Sequence, residues 1–230
     1  LSYYATARGT EIGYDNVFDY SLGNPSVPCP SSFTKAMIDM YETADPVALH
    51  GYSPSLGNPE ACRTIAESLN RRFGMDYTAG HIFPTTGAAG ALAHALRAVT
   101  KPGDEVLTFA PYFPEYHPYV EGAGARLTVV PADIESFQIN FAAFEAALNP
   151  EVAVVLINTP NNPSGAVYSA ETLDRLAGIL RAKQAEYGHD IFLISDEPYR
   201  EIVFDGGTQP YPAKFYDNTL TCYSWSKSLS

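Results

Sequence analysis

Three short apolar runs constrain this chain more than any other feature, because each delivers a polar side chain at or just beyond its C-terminal end. Val152 to Ile157 leads into a turn holding Asn162. Ile191 to Ile194 leads to Asp196. Leu220 to Tyr223 leads to Lys227, which stands among Ser224, Ser226 and Ser228. Short apolar runs bounded by turn residues read as buried strands. In open α/β sheets, ligands bind outside the carboxyl ends of the strands. An amide, a carboxylate and an amine are therefore expected to meet in one crevice.

The rest of the pattern agrees with such a sheet. Strands are expected at His81–Pro84, Glu105–Phe109, Arg126–Val130, Val152–Ile157, Ile191–Ile194 and Leu220–Tyr223. Helical patterns fall between them at Gly90–Val99, Tyr112–Glu121, Phe141–Leu148 and Ala170–Tyr187. Strand–helix alternation with Val/Ile/Leu runs predicts a mostly parallel central sheet covered on both faces, a three-layer α/β/α sandwich. The first thirty residues, with Pro25, Pro28 and Pro30, read as irregular. Ser31 to Tyr41 reads as a helix. Asn58 and Pro59 supply an N-cap and a first-turn proline for another helix, which Gly74 closes. Residues 1–44 are read as an N-terminal arm with a helix and residues 45–230 as one α/β domain.

Composition bounds the partners. The chain has 230 residues, 46% of them hydrophobic and only 17% charged, which suits a sizeable core and argues against disorder. The formal net charge of −12 disfavours nucleic acid and anionic membrane, both of which need a basic face. A small anionic ligand needs only a few local donors. The three cysteines, Cys29, Cys62 and Cys222, are widely spaced and form no CxxC, so they read as inert thiols in a reducing compartment. Neither a signal peptide nor a membrane-length apolar run is visible, and a cytoplasmic location is expected. The chain begins without Met and stops after Ser230, which reads as part of a longer protein.

Four segments carry candidate chemistry, and each has a plain structural reading beside the functional one. Thr85-Thr86-Gly87-Ala88-Ala89-Gly90 joins an expected strand to a helix. Small residues there would let backbone N–H groups approach an anion at a helix N-terminus, or simply make a tight turn. The segment matches neither a Walker A loop nor GxGxxG. Asn158-Thr159-Pro160-Asn161-Asn162-Pro163-Ser164-Gly165 is a turn by composition, but its prolines would also fix the Asn162 amide. Asp196 directly follows a strand, where an unpaired carboxylate is costly and a cationic partner would relieve it. Tyr199 lies three residues on, and Glu197 reads as solvated. Lys227 alone would pass for a surface lysine, yet the strand before it points it into the same crevice. A partly desolvated lysine near other cations gives up its proton readily, as a Schiff-base lysine must.

Taken together, the Asn-x-Pro-x-Asn-Pro-Ser-Gly, Asp-x-x-Tyr and Ser-x-Ser-Lys segments resemble the class I/II aminotransferases of the pyridoxal phosphate (PLP) fold type I superfamily, over nearly the whole chain and in the same order. The resemblance implies PLP as cofactor and amino acids and 2-oxo acids as substrates. It makes Lys227 the lysine that forms the internal aldimine and shuttles the proton, and Asp196 the partner of the pyridinium nitrogen. Asn162 and Tyr199 become donors to the phenolate oxygen. Ala88, Ala89 and Ser224 become phosphate ligands, and Phe113 the aromatic stacked on the ring. Gly23, in Leu22-Gly23-Asn24-Pro25, falls near the substrate carboxylate, as does Asn162. Tyr52 matches a tyrosine that reaches the neighbouring subunit's phosphate, which implies a homodimer with shared active sites.

The family also carries a phosphate-binding arginine beyond the lysine and a C-terminal small domain with a carboxylate-binding arginine. Neither is in this sequence, and the natural protein is expected to be longer. Two rivals remain: a carbon–sulfur β-lyase of the same fold, and a non-catalytic effector-binding module such as that of GntR-type regulators. The charge and the lack of a winged-helix segment count against the second. A nucleotide-binding domain would leave Lys227 and Asp196 unexplained.

Overall fold

The computed structural model describes residues 2–19, 23, 27–204 and 206–229. Five strands, β1 (Glu105–Phe109), β2 (Arg126–Val130), β3 (Val152–Asn158), β4 (Phe192–Asp196) and β5 (Thr219–Cys222), form one sheet in the order β2-β1-β3-β4-β5. Every neighbouring pair is parallel. Its helices are α1 (Ser2–Ile12), α2 (Ser31–Thr43), α3 (Pro46–His50), α4 (Pro59–Phe73), α5 (Gly87–Val99), α6 (Tyr116–Gly122), α7 (Phe141–Ala147) and α8 (Ala170–Tyr187).

The three expected layers follow from the period-two alternation of strand side chains. Leu107, Val155, Ile157 and Leu193 point to one face, where they pack with Phe144 of α7 and Leu173, Leu176 and Leu180 of α8. Val106, Val154, Leu156 and Ile194 point to the other, against Leu92 and Leu96 of α5 and Tyr116 and Val120 of α6. Both faces of β1 and β3 are buried, so β3 is apolar without interruption from Val152 to Ile157, while β1 holds Glu105 and Thr108 buried among its apolar residues.

Two helix boundaries are set as the sequence implies. The Asn58 side chain accepts from the N–H groups of Glu60 and Ala61, and Gly74 ends α4 at φ +67°, a left-handed conformation glycine adopts without cost. Ser169 caps α8 by accepting from Thr172 N.

Other expectations need correction. The N-terminal arm is not irregular throughout: α1 and a 3-10 turn at Tyr14–Asn16 occupy it. Apolar periodicity gave no signal there because Tyr3 and Tyr4 remain exposed instead of facing a core. His81–Pro84 is not a strand. It follows a 3-10 turn, Ala79–His81, whose cap is the His81 ring accepting from Thr78 N. No described strand lies alongside it to pair with. The helix expected from Tyr112 begins at Tyr116, after a turn containing Pro114. Pro118 is tolerated in the first turn of α6, where N–H groups lack intrahelical partners.

Candidate active site

Strand register brings the site together. Asn158, Asp196 and Cys222 are direct cross-strand partners at the C-terminal ends of β3, β4 and β5. The sheet also reverses direction here: the chain runs from β1 outward to β2, then returns past β1 to β3. The segments leaving β1 and β3 thus flank a topological switch point, the position where open α/β sheets form a ligand crevice. Phe113 lies on the first segment and Asn162 on the second. Asn161 Nδ2 ties them by donating to Pro111 O at 3.2 Å.

Asp196 is the centre of the cluster. It is only 4% exposed, and Tyr116 Oη, wholly buried, donates to its Oδ2 at 2.7 Å. Among the described residues nothing hydrogen-bonds to Oδ1. Burial pushes the Asp196 carboxyl up to about 7; the Tyr116 hydrogen bond opposes this rise, and the charge of Glu197 adds to it. A buried acid with one oxygen held and the other unsatisfied is suited to a cationic N–H donor, which would return it to the carboxylate form.

The loop after β3 is tightly built. Asn158 Nδ2 donates to Asp196 O at 2.8 Å, and its Oδ1 accepts from Asn162 N at 2.6 Å. Asn161 Oδ1 accepts from both Ser164 N and Ser164 Oγ, at 3.0 and 2.8 Å. These bonds fix the backbone that carries Asn162, so internal amides add to the two prolines in stiffening the loop. Burial and the Asp196 charge raise the Tyr199 hydroxyl pKa, while the Asn162 side chain lowers it. Asp196, Tyr199 and Asn162 therefore share one environment.

On the α5 side, Gly87 takes φ +72° and opens the helix, with its N–H donating to Thr85 O at 3.0 Å. A Cβ on Gly87 would lie 3.9 Å from Ser224 Oγ, so the buried Ser224 faces the first turn of α5. Ser224 Oγ also accepts from Ser226 N at 3.1 Å. The backbone of Ala88 and Ala89 follows in that turn. Hydroxyls beside a helix N-terminus form a cradle for an anion, and phosphate is the usual occupant of such a place.

Lys227 sits in a turn closed by Leu229 N donating to Trp225 O at 2.8 Å. Its Nζ donates to Gly23 O at 2.9 Å, joining two expected site residues that are 204 positions apart. The flanking Leu22, Asn24 and Pro25 lie outside the described residues. Phe113 is half-buried, its ring edge-on to Tyr116 at 5.8 Å. Tyr52 is fully exposed, apart from the buried cluster.

Two features escaped the sequence reading. Tyr116 holds Asp196, and the signal for it was a tyrosine in the aromatic group Tyr112, Phe113, Tyr116 that follows β1. Glu197 is not solvated: it is fully buried and accepts from Arg200 Nε at 2.7 Å. An arginine three residues after a glutamate across a tight turn was the available clue.

A doubly covered parallel sheet with a buried acid and a rigid amide loop at its carboxyl edge, beside a switch in strand order, belongs to the open α/β class that binds a ligand at that edge. The sequence model of the family "Aminotransferase class I and II" matches residues 15–230, and the chain belongs to that family. It is 32% identical over 230 residues to an aspartate/prephenate aminotransferase of Cereibacter sphaeroides, covering 96% of this chain and 54% of the relative. A probable N-succinyldiaminopimelate aminotransferase of Mycobacterium tuberculosis is 34% identical over 203 residues, covering 87% and 48%. Among solved structures, an amino transferase from Eubacterium rectale superposes with a TM-score of 0.96 at 48% identity, covering 99% of this chain and 57% of that one. A Thermus thermophilus aspartate aminotransferase mutant gives 0.85 at 27%, covering 99% and 58%. The chain spans about half the length of the curated relatives it matches. Among the described residues, no helix is long and apolar enough to cross a membrane.

Proposed function

We propose that this chain is the cofactor-binding part of a PLP-dependent aminotransferase, which moves an amino group between an L-amino acid and a 2-oxo acid. One observation carries the reading: the buried Asp196 carboxyl has Oδ2 held by Tyr116 and Oδ1 without a partner. That is the half-satisfied acid a protonated pyridine nitrogen completes.

When bound, PLP supplies an electron sink for the charge left on an amino acid as its Cα proton departs. In this reading the protein's own groups divide the remaining work. Asp196 keeps the proton on the ring nitrogen. Asn162 and Tyr199 donate to the phenolic oxygen. Ser224 and the N–H groups of Ala88 and Ala89 hold the phosphate, and Phe113 covers one ring face. Lys227 would hold the cofactor through its Nζ and would move the proton at the substrate Cα. Gly23 and Asn162 border the substrate carboxylate.

Tyr52, exposed in a single chain, is assigned to the phosphate of a neighbouring subunit, so the working form is a cytoplasmic homodimer with shared sites. Residues 1–44 form the arm and helix of a small-domain region, and residues 45–230 the large domain. The aminotransferase names of the relatives favour transamination over carbon–sulfur elimination and over an effector-binding module.

The test uses the full-length protein loaded with PLP. Borohydride reduction and peptide mapping should find the cofactor on Lys227, and Lys227→Ala should lose it. Scanning amino acids for conversion of the bound cofactor to its amine form should then identify a donor. An adduct surviving in the Lys227 variant would overturn the assignment, and pyruvate released from cystathionine without an oxo-acid acceptor would replace transamination by elimination.

A further inference from the structure

The buried pair Glu197–Arg200 has no part in the chemistry proposed above, yet it lies between the end of β4, which carries Asp196, and the segment after β5 that presents Lys227. The turn after β4 is tight, with Arg200 N donating to Glu197 O at 3.2 Å, so the Arg200 side chain folds back over Glu197. The two side chains are 4% and 0% exposed. Glu197 N donates to Cys222 O at 2.8 Å, extending the β4–β5 ladder one step beyond Asp196.

The guanidinium is enclosed by rings. Its carbon lies 4.6 Å from the Tyr223 centroid, 5.1 Å from Tyr211 and 5.4 Å from Phe73. Phe73 and Tyr211 stack on each other at 4.4 Å. Cations over aromatic faces are attracted most where water is excluded. Tyr223 is the significant neighbour, because it precedes Ser224 and its hydroxyl lies 3.5 Å from Ser228 Oγ. Tyr223 therefore spans the turn that presents Lys227. One continuous path runs from Asp196 through Glu197, Arg200 and the Tyr223 ring to that turn.

We infer that Arg200 is a positioning residue: it neutralises Glu197 beside Asp196 and, through the face of Tyr223, fixes the Lys227 turn against the end of β4. This rests on the PLP reading above. A buried ion pair alone is weak evidence for stability, since apolar replacements often serve as well. Registry between two functional strands is a stronger reason for its presence.

The experiment compares the full-length protein with Glu197→Gln/Arg200→Met, which removes both charges together, and with Arg200→Lys, which keeps the charge without the planar fork. Three quantities are read: the melting temperature without cofactor, PLP affinity from its visible absorbance, and the pH midpoint of that absorbance. The double variant should melt within a few degrees of the parent. It should nonetheless bind PLP at least about tenfold more weakly, a change of about 1.4 kcal/mol, with a displaced pH midpoint. Arg200→Lys should recover part of both losses. If the double variant does not fold, Tyr223→Leu, which leaves the ion pair intact, should show the same weaker binding and displaced midpoint. Parental affinity and midpoint, in the double variant or in Tyr223→Leu where the double variant does not fold, would overturn the inference while leaving the PLP reading standing. Failure of the parent itself to carry PLP on Lys227 would overturn both.

Discussion

Replacing Tyr116 with Phe removes one hydroxyl from the wholly buried contact with Asp196 and leaves the ring packing in place. Without a cation at its free oxygen, the Asp196 carboxyl stands at about 7 against an ordinary 3.8. That span corresponds to about 4 kcal/mol, at about 1.36 kcal/mol per unit. A folded-state pKa raised above the unfolded value gives stability that is full below the unfolded value and is lost as pH rises through the folded one. The cofactor-free protein should thus weaken between about pH 4 and pH 7 through this group. A hydrogen bond to a charged acceptor contributes about 1.5–3 kcal/mol, so losing Tyr116 Oη should raise the Asp196 carboxyl further. Both forms hold a protonated Asp196 at pH 5, where the substitution costs only the hydrogen bond to the neutral acid. At pH 8.5 the parent has ionised with Tyr116 as donor, and the variant has not been able to do so cheaply. The destabilisation should therefore be larger at pH 8.5 than at pH 5 by about 1–2 kcal/mol. Urea unfolding of the cofactor-free protein at the two pH values measures it. Equal destabilisation at both would refute the claim that Tyr116 stabilises the ionised acid.

Further outcomes follow from the same geometry. Asp196→Asn keeps the volume but removes the charge; PLP affinity should fall at least about tenfold, and the pH 4–7 loss of stability should disappear from the cofactor-free protein's urea curves. Gly87→Ala meets only ordinary contact with Ser224, so its cost is the left-handed backbone, about 1–2 kcal/mol. Calorimetry should register it together with weaker binding of inorganic phosphate. Asn58→Ala removes the acceptor for Glu60 N and Ala61 N and should cost about 1 kcal/mol in denaturant unfolding.

How far the sequence reveals this molecule depends on where information is local. The ends of α4 were legible because Asn58 and Gly74 act on their own neighbours. Strand β3 was legible because burial on both faces leaves the uninterrupted apolar run Val152 to Ile157, and β4 because Phe192 to Ile194 does the same on a shorter scale. The helix α1 was not, since its tyrosines face outward and leave no periodic stripe. His81–Pro84 misled because an apolar extended segment becomes a strand only beside a partner. Within the site, Asp196 and Asn162 could be found from their place after strands. Tyr116 could not be paired with Asp196, because 80 residues separate them and only the packing of α6 on the sheet brings them together. Glu197 was misjudged for the same reason: its neighbour Asp196 suggested an acidic surface, whereas folding of the turn supplies Arg200.

The shared register of Asn158, Asp196 and Cys222 has an evolutionary corollary. Consecutive side chains on a strand face opposite ways, so deleting one residue within β4 would turn Ser195 toward α6 and aim the acid at α8. Insertions after the strand ends, by contrast, leave that orientation untouched. Diversification toward new substrates should accordingly accumulate in the segments downstream of these three strands, while strand lengths stay invariant across descendants that keep the chemistry.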